Sequence, residues 1–167
     1  MAVRSTMANL ILKIRLLIND TSGTPTFTDQ AIQDVMDASR QDVRYLALTP
    51  AATYSGSTVQ YLDYFAPYGD FEDDATFWQY RTIQVMPSAS EPIPGHWTFA
   101  TTTLPPVYLL GKTYDCYRAA ADLLERQAAQ WSLSYDVAVD GQSLHRSQAA
   151  TALQALAHTY RLQQRMA

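Results

Sequence analysis

Residues 29–47 read DQAIQDVMDASRQDVRYLA, and the fold class turns on how far the helical spacing in this stretch runs. Ile32, Val35/Met36, Ser39, Val43 and Leu46 recur about three or four positions apart, which places their side chains on one face of an α-helix. Thr28, or the nearby Thr26, suits the N-cap, where a side-chain oxygen accepts a free backbone N–H. Asp29 then sits in the first turn, at the positive end of the helix dipole. The pattern predicts one helix that ends before Pro50, with Arg40 and Arg44 one turn apart on its solvated face.

Upstream, Val3, Met7, Leu10, Ile14 and Leu17 form a second helical stripe, widened by Ile11 and Ile18 into a core-facing band. The turn formers of NDTSGTP, residues 19–25, end it. Lys13 and Arg15 break the apolar run and no small-residue cleavage site follows, so it reads as neither signal peptide nor membrane span. The expectation is a soluble chain with no membrane partner.

Downstream the character changes. STVQYLDYF, YRTIQVMP and GHWTFATTTL alternate or are rich in β-branched and aromatic residues, and PYGDFEDD and PSASEPIPG between them are turn chemistry. Residues 51–106 therefore predict a β-rich antiparallel hairpin insertion with a long loop. Its aromatics, among them Tyr61, Tyr64, Phe65, Tyr68, Phe71, Phe77, Trp78, Tyr80, Trp97 and Phe99, fit either a small core or a contact surface. As contact residues toward a neighbour, Tyr64, Tyr68, Phe71, Trp78 and Trp97 are the candidates.

Helix returns at LLGKTYDCYRAAADLLERQAAQW, where Tyr114, Tyr117, Ala121, Leu124, Ala128 and Trp131 make a seam of alternating large and small residues. SYDVAVDGQSLHRSQ then reads as a short hairpin turning at Asp140-Gly141. A last helix carries Ala149, Leu153, Leu156 and Tyr160. The expected fold is mostly α: a four-helix bundle from 1–50 and 107–167, the β-rich insertion between helices 2 and 3, and a short β element before the last helix.

The totals fit one globular domain, with 47% hydrophobic and 17% charged residues in 167. Residues 51–110 carry one base, Arg81, against six acids, and the chain as a whole is at −4. That sign excludes tight nucleic-acid binding, which needs concentrated cations, but suits a surface that DNA slides past. Cys116 is the sole cysteine, so neither an intramolecular disulfide nor a cysteine zinc site can form.

Asp136, Asp140, Ser143, His145 and Ser147 crowd together as in a Ser-His-Asp hydrolase, yet no G-x-S-x-G elbow accompanies them. A hairpin turn and a serine N-cap account for them, and we assign no catalytic residue. The acids Asp70, Glu72, Asp73 and Asp74 lack the ligand spacing of a calcium loop and read as a solvated acidic loop. No metal ligand, cofactor or enzymatic activity is expected.

LKIRLLINDTSGTPTFTDQAIQDVMDASRQDV and, after the insertion, VYLLGKTYDCYRAAADLLERQAAQWSLSYDVAVDGQSLHRSQAATALQALAHTYR resemble the head-to-tail adaptor (connector) proteins of tailed bacteriophages, of the siphophage and lambdoid type. The likeness covers roughly 7–48 and 107–162 and is carried best by FTDQAIQ, YRAAADLLERQA and DVAVDGQSLHRSQ. It implies a helical bundle whose identical subunits form a ring, typically a dodecamer, beneath the portal protein at the virion neck, assembled in the host cytoplasm. Such a ring extends the DNA channel, lets DNA pass without specific binding, and docks the next neck or tail protein. It further implies a C-terminal segment, here TYRLQQRMA, that reaches the portal through Tyr160, Arg161, Arg165 and Met166. Alternatives are another neck or tail ring component, such as a stopper or tail terminator, and a small helical DNA-binding regulator. The balanced charge of 111–131 argues against the regulator.

Overall fold

The computed structural model describes residues 2–21, 23, 25–132, 137–139, 142–144 and 146–164; it gives 137–139, 142–144, 146 and 147 by backbone alone. Two compact units divide the chain, one of residues 4–10 and 40–114 and one of residues 1–3, 11–39 and 115–167.

In the second unit, helix α1 (Ala8–Leu17, entered from the first unit) and α2 (Asp29–Asp37) precede α3 (Cys116–Ser132) and α4 (Arg146–Gln163). Strands β9 (Val137–Val139) and β10 (Gln142–Leu144) pair antiparallel before α4. Met7, Leu10, Ile11, Ile14 and Ile18 are buried, so the first stripe holds, with Val3 exposed at its start. Thr28 Oγ1 accepts the Ala31 N–H at 3.2 Å and caps α2. On α3, Ala119, Ala120, Ala121, Leu123, Leu124 and Ala128 are buried. The facing helix α4 buries Ala150 and Ala157, and small side chains on both helices let the axes approach closely. The seam on α4 is therefore shifted from the one predicted, and Leu156 lies exposed.

The other unit corrects the fold class. The protein is mixed α/β: the described residues form four α-helices and two four-stranded antiparallel sheets, and not a mostly helical four-helix bundle with one inserted hairpin. The strands are β1 (Gln41–Ala47), β2 (Thr49–Ser55), β3 (Thr58–Phe65), β4 (Thr76–Gln79), β5 (Ile83–Val85), β6 (Ala89–Glu91), β7 (His96–Thr98) and β8 (Val107–Thr113). One sheet runs β1-β8-β4-β5 and the other β2-β3-β7-β6. Strand therefore begins at Gln41 and ends at Thr113, taking in segments read from sequence as the end of helix 2 and the start of helix 3.

The reason lies in residues 37–47. Helix α2 stops at Asp37, and Ser39 turns back on it, its Oγ donating to Met36 O at 3.0 Å. Val43 and Leu46 keep a spacing of three because β1 bulges between them: Val43 pairs with Gly111 and Leu46 with Leu109, three steps on one strand against two on the other. Tyr45, at φ 53°, absorbs the extra residue. A bulge thus puts two residues three apart on the same face of a strand, which imitates helical spacing.

Both sheets close on one aromatic core of Leu48, Tyr64, Phe71, Phe77, Trp97, Phe99, Val107 and Leu109. Phe77 of the first sheet lies 5.2 Å from Trp97 and 6.1 Å from Phe99, centroid to centroid. Tyr64 meets Phe99 edge-on at 5.4 Å. Burial and the neighbouring rings of Tyr61 and Tyr80 push the Tyr64 phenol up to about 12, and its O–H donates to Thr103 O. The loop after β3 crosses residues 92–95 closely: a Cβ on Gly69 would stand 1.9 Å from Ile93 O, so only glycine fits.

Removing a buried large ring leaves a cavity, and Trp97→Ala is expected to cost about 3–5 kcal/mol. Trp78→Ala, on the outward face of the sheet, is expected to cost clearly less. Urea unfolding followed by circular dichroism measures both, and equal losses would contradict this assignment of the core.

Candidate interaction surface

The structure separates the candidate contact aromatics. Tyr64, Phe71 and Trp97 are buried in the core, so the contact role expected of them is corrected: rings that two sheets enclose are closed to a partner. Tyr68 is half-buried and stacks on Phe71 at 5.4 Å. Trp78 stands at an outward position of its strand, between inward Phe77 and half-buried Gln79, and its indole Nε1 meets no acceptor among the described residues.

Two of the C-terminal candidates make contacts within the helical unit. Tyr160 O–H donates to Leu17 O at 2.9 Å, and its ring lies 5.7 Å from Tyr117. Arg161 forms ion pairs with Asp122 and, at 2.9 Å, with Glu125. These two residues fasten α4 within its own unit. Arg165 and Met166 lie outside the described residues, as do Asp136, Asp140 and His145 of the hydrolase-like cluster and the side chains of Ser143 and Ser147.

The acidic run is not a solvated loop throughout. Asp73 and Asp74 are exposed, but Asp70 is buried and the Glu72 side chain is fully so. One Glu72 oxygen accepts from Arg4 Nε at 2.9 Å and Thr6 Oγ1 at 2.6 Å. The other accepts from the Tyr114 hydroxyl at 2.6 Å and faces Lys112 Nζ at 3.5 Å. Burial alone would raise the acid's pKa, but the hydrogen bonds from Thr6, Tyr114 and Arg4 outweigh it and hold Glu72 below the ordinary carboxylate range. The carboxylate latches Arg4–Leu10 onto the β unit. A calcium loop would expose these oxygens; here protein donors occupy them. Among the described residues no group of three His, Cys, Asp or Glu side chains could hold a metal ion.

A second polar cluster clips three strands of the other sheet. His96 on β7 has both ring nitrogens 3.1 Å from carboxylates, Nε2 from Asp63 on β3 and Nδ1 from Glu91 on β6. The Phe65 ring stacks on it at 4.6 Å. Burial opposes the charge on His96, but hydrogen bonds to Glu91 and Asp63 prevail and raise its pKa above the usual value. Asp63 is lowered by the Thr98 hydroxyl and by His96.

The surface with the composition of an interface lies on the first sheet. Arg81, in the turn between β4 and β5, sets its guanidinium carbon 4.7 Å from the Tyr108 ring centroid and 5.3 Å from that of Tyr45. Those two rings meet edge-on at 6.4 Å. Tyr45 and Tyr80 are exposed, and so is Ile83 beside the turn. Sequence reasoning passed over Tyr45, Arg81 and Tyr108 as contact residues. The available signal was Arg81 itself, the one base in an acidic segment, directly after a tyrosine.

No family model matches the chain, and neither the curated proteins nor the solved structures yield a similar one.

Glu72 tests the latch. Because its folded pKa is depressed, its contribution to stability is present above the unfolded pKa of about 4.3 and is lost as pH falls through the folded value. Glu72→Gln is expected to destabilise the protein by about 1–3 kcal/mol at neutral pH and to flatten the acid limb of the stability curve. Urea midpoints from pH 2 to 7 give the result, and parallel curves for the two proteins would contradict it.

Proposed function

We propose that the chain is a structural subunit of a tailed-phage virion, a head-to-tail adaptor that forms a ring under the portal, extends the DNA channel and docks the next neck or tail protein. The observation that carries the reading is a pair of exposed apolar sets, one in each unit. Leu12 and Leu16, one turn apart on α1, are 55% and 65% exposed. In the β unit, Tyr80 and Ile83 of the β4–β5 hairpin and Met86 directly after β5 are exposed, Met86 by 83%. Apolar groups gathered in this way mark association sites. Subunits of a ring contact one another through two unlike patches, one meeting the other on the next copy, and two dissimilar sets on one chain suit that arrangement.

The sequence likeness of 7–48 and 107–162 to connector proteins supports the same reading, and so does the net charge of −4, which disfavours retention of passing DNA. No helix of the described residues is long and apolar enough to cross a membrane. The site of action under this reading is the virion neck. Ring avidity on the portal compensates for modest affinity between subunits.

Two four-stranded sheets and helices covering fewer than half of the residues favour a second reading, a stopper or tail-terminator ring, since such components lean further toward β-structure. Mass photometry of the protein alone and mixed with a cognate portal ring separates the two. An adaptor adds a fixed number of copies, near twelve, to the bare portal. No addition to the portal, with a ring formed by the protein alone or on a tail tube, would favour the second reading and defeat the first.

A further inference from the structure

The β4–β5 turn breaks the residue preferences of its own backbone. Gln79 pairs with Ile83, and the turn between them holds Tyr80 at φ 53° and Arg81 at φ 62°. Consecutive left-handed residues in a hairpin turn are the ordinary place for Asn and Gly, whose side chains tolerate that conformation. Tyr45, which completes the cluster, is a third left-handed residue, at φ 53°. Two adjacent left-handed residues and a third beneath Arg81 thus mark this turn, and conflicts between local preference and residue choice gather at functional surfaces. Arg81 has no carboxylate partner among the described residues: its guanidinium rests on the rings of Tyr45 and Tyr108 with its N–H groups unclaimed.

The helical unit carries a depression of opposite character. About 340 Å³ in volume, it is lined by Leu12, Arg15, Asp20, Thr21, Pro25 and Asp29. Two acids against one base make its lining net negative. Arg15 uses Oδ1 of Asp29, and among the described residues no donor meets Oδ2 of this half-exposed carboxylate. Asp20 is committed to Arg15 and to the N–H groups of Thr26 and Phe27. Exposed Leu12 and Pro25 supply an apolar floor and rim.

We propose that the Tyr80–Arg81 turn of one copy docks into the Leu12–Pro25–Asp29 depression of a second copy, with Arg81 donating to Asp29 and Tyr80 lying on the apolar lining. The occupant is a second copy because the cationic, aromatic knob and an acidic, apolar socket of matching chemistry stand on the same chain. Contacts between unlike patches are those that close a ring, so this inference names the subunit interface and rests on the ring reading for its biological setting.

The test mixes two singly substituted proteins, Tyr80→Cys and Leu12→Cys, with a short bismaleimide, both in concentrated solution and on a cognate portal ring; native Cys116 is buried. The mixed cross-link is expected to form at least ten times more than either self cross-link. Arg81→Glu is expected to abolish it, and Asp29→Lys on the opposite copy to restore it, with circular dichroism confirming that each variant is folded. Absence of the mixed cross-link under both conditions, or its persistence in Arg81→Glu, would overturn the proposal. Rings that form on the portal without the cross-link would overturn this interface and leave the adaptor reading intact. A cross-link in solution with no binding to the portal would do the reverse.

Discussion

Leu48 is the only residue between a strand of one sheet and a strand of the other. It is buried, and its N–H donates to Val107 O at 2.9 Å, so the corner is tied to the strand beside it. Bending there lets β1 and β2 line two walls of one enclosure, as strands that switch sheets do. The rest of the unit follows from filling that enclosure. Phe77 meets Trp97 at a tilt and Phe99 edge-on, the latter a geometry aromatic quadrupoles favour. The long loop after β3 adds Phe71 to the same core, in edge-on contact with Trp97 at 5.5 Å.

Burying so many rings fixes what is left for the surface. The strand alternation that sends Phe77, Val107 and Leu109 inward sends Trp78 and Tyr108 outward, and the bulge in β1 leaves Tyr45 exposed beside Tyr108. The same bulge that lets Val43 and Leu46 pack against the core therefore builds one side of the Arg81 cluster. Packing and the candidate interface are in this respect a single constraint. The Glu72 latch belongs to the same logic, because a carboxylate without solvent needs several donors, and Arg4, Thr6 and Tyr114 supply them from segments distant in sequence.

Local signals in the sequence were legible where local physics decides. The α1 stripe from Met7 onward, the Thr28 cap and the Ala121, Leu124 and Ala128 part of the α3 seam rest on spacing within one helix and are found, whereas Val3 and Trp131 at the ends of the predicted stripes are exposed. The β1 segment was not legible, because a bulge is set by the partner strand β8 and mimics the helical spacing of Val43 and Leu46. The same holds for VYLLGKT: alternation places Val107, Leu109 and Thr113 inward, but Gly111 and the helix directly after it blur the pattern. For the candidate surface, composition marked the aromatics without sorting them. Whether Trp97 or Tyr108 faces solvent depends on which wall each strand joins, which no single segment records.

The two-walled core and the Arg81 cluster both require Gln41–Ala47 to be a bulged strand and not a continuation of α2. Backbone ¹³Cα and ¹³Cβ chemical shifts across this stretch test it directly. Extended-strand shifts at Gln41–Val43 and Leu46–Ala47, interrupted by a left-handed signature at Tyr45, are the expected result. Unbroken helical shifts from Asp29 through Leu46 would contradict the fold and remove the basis of the proposed interface.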